Sequence, residues 1–363
     1  MPAREIQIVE PTLVSDAGHC AAIFGNLFRA APHLPYRLWV DRQADAPSVA
    51  ATGVPCERHF HRKLRKLQTP LLYRRLLRGS DAVYVPTATW FDLRAIDLMA
   101  TGVLPPDRVF LYFHKWRVSA GRQAALAHLA RRQPHLHLLG ASPEIAQRLR
   151  EAGFTRVDEV IPINAEPGAA EPTTTFRHLL FAGAARADKG FADVVDLVAE
   201  LAAQGDRLPV LLQTTGDHYG RHDATTTAAL SKLRGLDYPP LQTLDQTPDR
   251  LAYARLFPGA ICLQPYLQSE YADKTSSVTY DALLAGAPII TLSGTPMARI
   301  VADSGAGVVL DAANPQAMRA AVLQIHADYA GYAARAAASG RRYEPKQAWR
   351  PLVRAFERAL GRA

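Results

Sequence analysis

The residues best suited to chemistry lie in one stretch, 264–291, QPYLQSEYADKTSSVTYDALLAGAPIIT. Lys274, Thr275, Ser276 and Ser277 lead into a short helix that Gly286 ends, and Pro288 with Ile289 and Ile290 starts a strand after it. An apolar run, residues 259–263, comes before the stretch, so the order is strand, loop, helix, strand. In a parallel α/β sheet such a loop sits at the carboxyl edge, where the free N–H groups and the positive end of the helix dipole face whatever binds. A lysine and hydroxyls at that point suit a phosphate. Asp273 and Asp281 stand eight residues apart. That is roughly two helical turns, so both lie near one face, the first at the site and the second facing back along the helix.

The elements that must position this stretch are read from periodicity and punctuation. In the first half, residues 6–9 make a strand, and the loop 11–20, PTLVSDAGHC, feeds a helix at 21–31. Gly18 allows close backbone approach where that helix starts, which suits a phosphate or a sugar, although the loop lacks the GxGxxG pattern. Further strands are expected at 36–40, 82–85, 108–113 and 136–139, with His114 at the C-terminal end of the fourth and Ser142-Pro143-Glu144 opening a capped helix. The Pro- and Thr-rich residues 162–175, PINAEPGAAEPTTT, read as a linker. A second α/β series follows, with a strand at 178–181, a turn at 182–190 and a helix at 191–204 whose Val194, Val195, Leu197, Val198 and Leu201 keep helical spacing. The last segment, 346–360, is amphipathic, with Trp349, Leu352, Val353 and Phe356 on its apolar side. The expected organisation is a domain at 1–163, a linker at 164–176, a second domain at 177–344 and a terminal helix at 345–363.

With 363 residues the chain suits two α/β domains better than one core. No apolar run approaches the roughly 20 residues of a membrane span, and MPAREIQIVE has no signal-peptide pattern, so a cytoplasmic location is expected. Cys20, Cys56 and Cys262 are few and widely spaced, which argues against a disulfide framework or a zinc site. Residues 1–165 hold 22 Lys and Arg against 14 Asp and Glu, so the whole net charge of +8 belongs to that part. Its densest segment, residues 58–78, runs from Arg58 to Arg78 with eight Lys and Arg and no acid, and supplies one or two helices broken by Pro70. Such a segment can lie on an anionic membrane surface, meet an acidic substrate, or form a solvated helix face. Nucleic acid is the weakest partner, because no RNA-binding strand, zinc-finger spacing or helix-turn-helix signature accompanies it.

Two doubly wound α/β domains, a linker and a helical tail fit several two-domain folds; the stretch 264–291 decides among them. It resembles the donor-binding segment of family 4 retaining glycosyltransferases, in which two acids with seven residues between them precede Ala, three residues, Gly, one residue, Pro and a hydrophobic pair. Asp273, Asp281, Ala282, Gly286, Pro288, Ile289 and Ile290 fall on that pattern, with Asp replacing Glu twice and Lys274, Thr275 and Ser276 replacing a glycine-rich loop. A second segment, FAGAARADKGF, is similar to the family's Gly, Arg and Lys-Gly motif: Gly183, Lys189 and Gly190 are in register, whereas Ala184 stands at the usual arginine and Arg186 lies two residues later. Gly18 and His19 resemble the family's first loop, and His114 matches a histidine near the transferred sugar.

The resemblance implies the GT-B fold, two Rossmann-like doubly wound domains facing a central cleft, with the C-terminal helix packing back toward the N-terminal domain. It implies sugar transfer from a nucleotide diphosphate sugar with retention, no metal and no cofactor. Arg186, Lys189, Lys274, Thr275, Ser276 and Ser277 would stabilise the departing phosphates beside Gly183. Asp273 would bind the sugar hydroxyls, Asp281 the ribose, and His114 would sit near the sugar, while Asp16, Gly18 and His19 would meet the acceptor. Asp16 has a second reading, as a loop carboxylate capping the helix that follows. The implied acceptor is a saccharide or a lipid-linked one in bacterial cell-surface polysaccharide assembly, reached at the inner face of the membrane through residues 58–78. A nucleotide-sugar epimerase of the same fold and a binding protein with reduced catalysis are the rivals.

Overall fold

Short runs rich in Val, Ile, Leu, Phe and Tyr form parallel strands buried on both faces, as strands covered by helices on each side must be. The computed structural model describes residues 4–16, 19–116, 120–161, 171–216 and 220–362. The chain divides into two units, Met1–Pro162 with Pro345–Ala363, and Ile163–Glu344. Residues 164–170 of the expected linker lie outside the described residues.

The first unit holds β1 (Ile6–Val9), β2 (Tyr36–Asp41), β3 (Cys56–Phe60), β4 (Ala82–Val85), β5 (Val109–Phe113), β6 (His137–Gly140) and β7 (Val157–Glu159) in the order β3-β2-β1-β4-β5-β6-β7. Every pairing is parallel, with Ile6 of β1 opposite both Tyr36 and Ala82. The chain steps one way from β1 to β3 and the other way from β4 to β7, so right-handed crossovers put the two sets of helices on opposite faces. On one face Phe28 of the helix His19–Ala30 meets Tyr36, with ring centroids 4.8 Å apart. On the other, Arg75 of the helix Arg65–Arg78 lies 4.6 Å over Trp39. The C-terminal helix Arg350–Ala359 completes the first face: Phe356 is fully buried, 5.4 Å from Tyr84 and 5.2 Å from Phe110, and Trp349 is buried beside it. This helix thus returns to the N-terminal sheet, as the family resemblance implies, and buries its apolar stripe there.

The second unit holds β8 (His178–Phe181), β9 (Val210–Gln213), β10 (Leu241–Leu244), β11 (Ala260–Gln264), β12 (Ile289–Leu292) and β13 (Gly307–Leu310), ordered β10-β9-β8-β11-β12-β13 and again all parallel. Both units are doubly wound. Three strands were not expected from the sequence, β3, β7 and β10, and all three are sheet edges. Their sequences, CERHF, VDE and LQTL, lack a continuous apolar run because an edge strand is covered less completely than a central one. The basic segment also differs from expectation. Its first residues form β3, and one unbroken helix, Arg65–Arg78, runs through Pro70. Proline there removes the donor to the carbonyl of Lys66, but Lys66 is exposed in the first turn, where solvent is available to that carbonyl. No helix among the described residues is long and apolar enough to cross a membrane.

Candidate functional site

Strand order reverses between β8 and β11, and the loops leaving the carboxyl ends of those strands carry Arg186, Asp188, Lys189, Asp273 and Lys274. The loop after β8 turns on Gly183, whose φ is +91° and whose amide donates to Gln213 Oε1 at 2.7 Å. A Cβ at Gly183 would lie 2.6 Å from Lys189 Nζ, so only glycine leaves the ammonium its position. Gly190, at φ +67°, ends the turn Ala187–Lys189 and starts the helix Phe191–Ala203; a side chain there would strike the carbonyl of Pro265. The two loops are therefore in contact, and the amide of Leu267 donates to the carbonyl of Asp188 at 3.0 Å.

Within this contact Arg186 is held by three hydrogen bonds to two partners. Its Nε and Nη2 donate to Asp188 at 2.8 and 2.5 Å, and Nη2 donates to the Tyr271 hydroxyl at 3.2 Å. Lys189 is half-buried as a residue, with its ammonium drawn inward to 5.7 Å from the ring of Tyr266, and it makes no ion pair among the described residues. Burial first, then the neighbouring Arg186, lowers its pKa to about 8. Lys274 donates to Glu270 Oε2 at 3.2 Å and stands 5.3 Å from the ring of Tyr271.

The helix Ser277–Leu284 begins beside this cluster, since the Cβ position of Gly183 is 3.9 Å from Val278. Its N-cap residue, the buried Ser276, makes no side-chain cap bond, which leaves first-turn amides for another acceptor. Thr279 in the same turn donates to the buried Gln264 Oε1 at 2.7 Å and ties the helix to the end of β11. The structure thus brings together Gly183, Arg186, Lys189, Lys274 and the 275–277 segment. Asp273 is half-buried in the same loop. Asp281 stands deeper on the helix, 8% exposed, and its Oδ1 accepts no hydrogen bond among the described residues. Burial raises its pKa to about 7 despite the nearby Arg250.

Sequence reasoning missed Tyr266 and Tyr271, whose roles exist only once the two loops meet, and Asp188, which pairs with Arg186 two residues away. The tyrosines in QPYLQSEY were the available signal.

In the first unit the expected residues are placed differently. Asp16 binds across the loop among the described residues: its Oδ2 accepts from Ser48 N at 2.9 Å and its Oδ1 from Ser48 Oγ at 2.6 Å, on the short helix Pro47–Ala50. Gly18 lies outside the described residues, and of His19 the backbone alone is described, as the first residue of its helix. His114 follows β5 and donates from Nε2 to the carbonyl of Pro86 at 2.9 Å, with its ring 4.4 Å from that of Tyr112. Glu10, which sequence reasoning passed over, is fully buried at the end of β1. Its carboxylate accepts from Thr12 N at 3.0 Å, from the Thr12 hydroxyl, and from Thr87 Oγ at 2.8 Å.

The chain has the GT-B fold: its two parallel doubly wound sheets of seven and six strands, with the last helix returned to the first sheet, are shared with solved glycosyltransferase structures. In sequence the chain matches no family model and no curated protein. In structure it is similar over its whole length to a glycosyltransferase from Rickettsia africae ESF-5, at 12% identity, TM-score 0.72 and 100% coverage of both chains. Anabaena Alr3699/HepE in complex with UDP-glucose matches at 12% identity and TM-score 0.71, over 98% of this chain and 99% of that one. WaaG, a glycosyltransferase involved in lipopolysaccharide biosynthesis, matches at 13% identity and TM-score 0.61, over 96% and 98%.

Proposed function

We propose that the chain is a metal-independent, retaining glycosyltransferase that takes a hexose from a nucleotide diphosphate sugar. The observation that carries this reading is the switch point between β8 and β11, where Lys189, Arg186 and the first turn of the helix Ser277–Leu284 converge. As the glycosidic bond breaks, the bonding pair leaves with the diphosphate, whose charge grows. A cation with no ion pair among the described residues, together with the first-turn helix amides, stabilises that charge more than the ground state. Asp281, buried with one oxygen lacking a hydrogen bond among the described residues, takes the ribose hydroxyls, and Asp273 takes those of the sugar. HepE, whose fold is similar, was crystallised with UDP-glucose, which supports a nucleotide sugar as donor.

The acceptor, a saccharide or a lipid-linked one, is assigned to the first unit, around Asp16, Gly18, His19 and His114, in the assembly of a bacterial cell-surface polysaccharide. WaaG's part in lipopolysaccharide biosynthesis supports that setting. The protein works on the cytoplasmic side and meets the inner face of the membrane through residues 58–78. Incubation with a panel of nucleotide diphosphate sugars, followed by NMR of the anomeric protons, tests the proposal. Transfer or slow hydrolysis with retained configuration is expected. A donor that binds and stays intact would instead favour a binding protein, and isomerisation of its sugar without transfer an epimerase.

A further inference from the structure

We infer that one face of the first unit, formed by the helices Arg65–Arg78 and Trp90–Met99, inserts leucines into an anionic lipid bilayer. This deepens the membrane reading of residues 58–78, which rested on charge alone. Among the described residues, nine large hydrophobic side chains are exposed, and six of them, Leu64, Leu67, Leu71, Phe91, Leu98 and Val103, lie on or beside these two helices. The helices pack together on one face of the sheet. Leu64, Leu67 and Leu71 are 50%, 70% and 64% exposed, and their spacing of three and four puts them on a single stripe. The opposite side of the helix is fully used, with Thr69, Leu72, Tyr73 and Leu76 buried. Arg74 and Arg78 extend the exposed stripe, and Arg62, Lys63 and Lys66 flank it, all exposed.

The charge on this face has one sign. No acid occurs between residues 58 and 80. The nearest acids on the second helix face inward: Asp92 is buried and bound to the Tyr73 hydroxyl at 2.7 Å, and Asp97 is buried too. Charge complementarity selects the occupant. A nucleic acid would satisfy the cations and leave the leucines in water, while an apolar protein surface would cover the leucines and desolvate the cations. An anionic bilayer offers phosphates at the height of the arginines and hydrocarbon just below them, and long basic side chains reach back to the phosphates while the leucines descend.

Flotation with vesicles of phosphatidylcholine and about one-third phosphatidylglycerol, at low salt and at about 0.5 M salt, tests this, because screening removes the charge contribution and spares the apolar one. The full chain is expected to float at both, more weakly at high salt. Leu67→Ser with Leu71→Ser should lower the partition coefficient about tenfold or more and abolish the high-salt fraction. Replacing Arg62, Lys63 and Lys66 by Gln should lower mainly the low-salt fraction. Leu251→Ser, at an exposed leucine of the second unit, should change nothing. Flotation of the double leucine variant equal to that of the unmodified chain overturns the inference, as does absence of flotation. So does a concentration-dependent dimer that the leucine changes dissolve, which would make the face a contact between copies. Nucleotide titration on the same preparations separates the two claims, since a protein that binds nucleotide but no vesicle loses only this one.

Discussion

Both sheets reverse strand order between their first and fourth strands, yet the segments at those two points differ in how completely their polar groups are satisfied. In the first unit the groups are spent on the protein itself. Glu10 is buried but takes three hydrogen bonds from Thr12 and Thr87, Asp16 takes two from Ser48, and His114 is bound to Pro86. In the second unit Asp281 is buried with Oδ1 lacking a hydrogen bond among the described residues, and Lys189 sits in surroundings that lower its pKa to about 8. Satisfied polar groups shape a loop; a buried one left unsatisfied costs folding free energy and persists where a ligand completes it. On the proposed reading, this contrast fits a charged ligand on the second unit and a neutral one on the first.

The largest effect is expected in the scaffold. Glu10→Ala removes the acceptor of three donors and opens a hole between two loops, and should destabilise the first unit by about 2 to 4 kcal/mol in denaturant unfolding. Nucleotide affinity in the second unit should not change. An equal loss of nucleotide binding would dissolve the distinction between the two points.

Asp281→Asn should have the opposite sign. A carboxyl whose folded pKa lies above its unfolded value contributes stability that is present at low pH and lost as pH rises through about 7. Above that pH the carboxylate is a net burden, so the amide should stabilise the ligand-free protein by about 1 to 3 kcal/mol, with the difference closing toward the acid side. The same change should weaken nucleotide binding, giving a trade of stability for affinity that calorimetry at two pH values can read. A variant less stable than the parent above pH 7 would mean that Asp281 is already satisfied.

Nucleotide affinity should follow a bell in pH. Its acid limb comes from Asp281, which must ionise to accept a ribose hydroxyl, and its alkaline limb from Lys189, which loses its proton near 8. Lys189→Arg should remove the alkaline limb alone. The smallest effect belongs to Asp16→Ala, which strips an exposed helix start of its acceptor and should cost about 0.5 to 1.5 kcal/mol in thermal unfolding.

Much of this was legible in the sequence, and the reasons are local. Central strands such as VFLYF and AICLQ announce themselves because both faces are buried. The helix after Ser276 and its Gly286-Ala287-Pro288 end follow from rules about caps and prolines, and the apolar stripe of the last helix follows from period alone. What the sequence hid is long-range. Thr87, which satisfies Glu10, is 77 residues away, and Tyr271, which holds Arg186, is 85 away. Asp16 likewise found its partner 32 residues on, in a helix that a local capping rule would not choose.

The most direct test is isothermal titration of the intact chain with a panel of nucleoside diphosphates, repeated on Lys189→Ala and Asp281→Asn. At least one diphosphate should bind, and Lys189→Ala should weaken it by about 1 to 3 kcal/mol, as loss of a charge-assisted contact does. Saturable binding that neither substitution alters, or no binding by any diphosphate, would contradict the assignment of the donor site to the second unit.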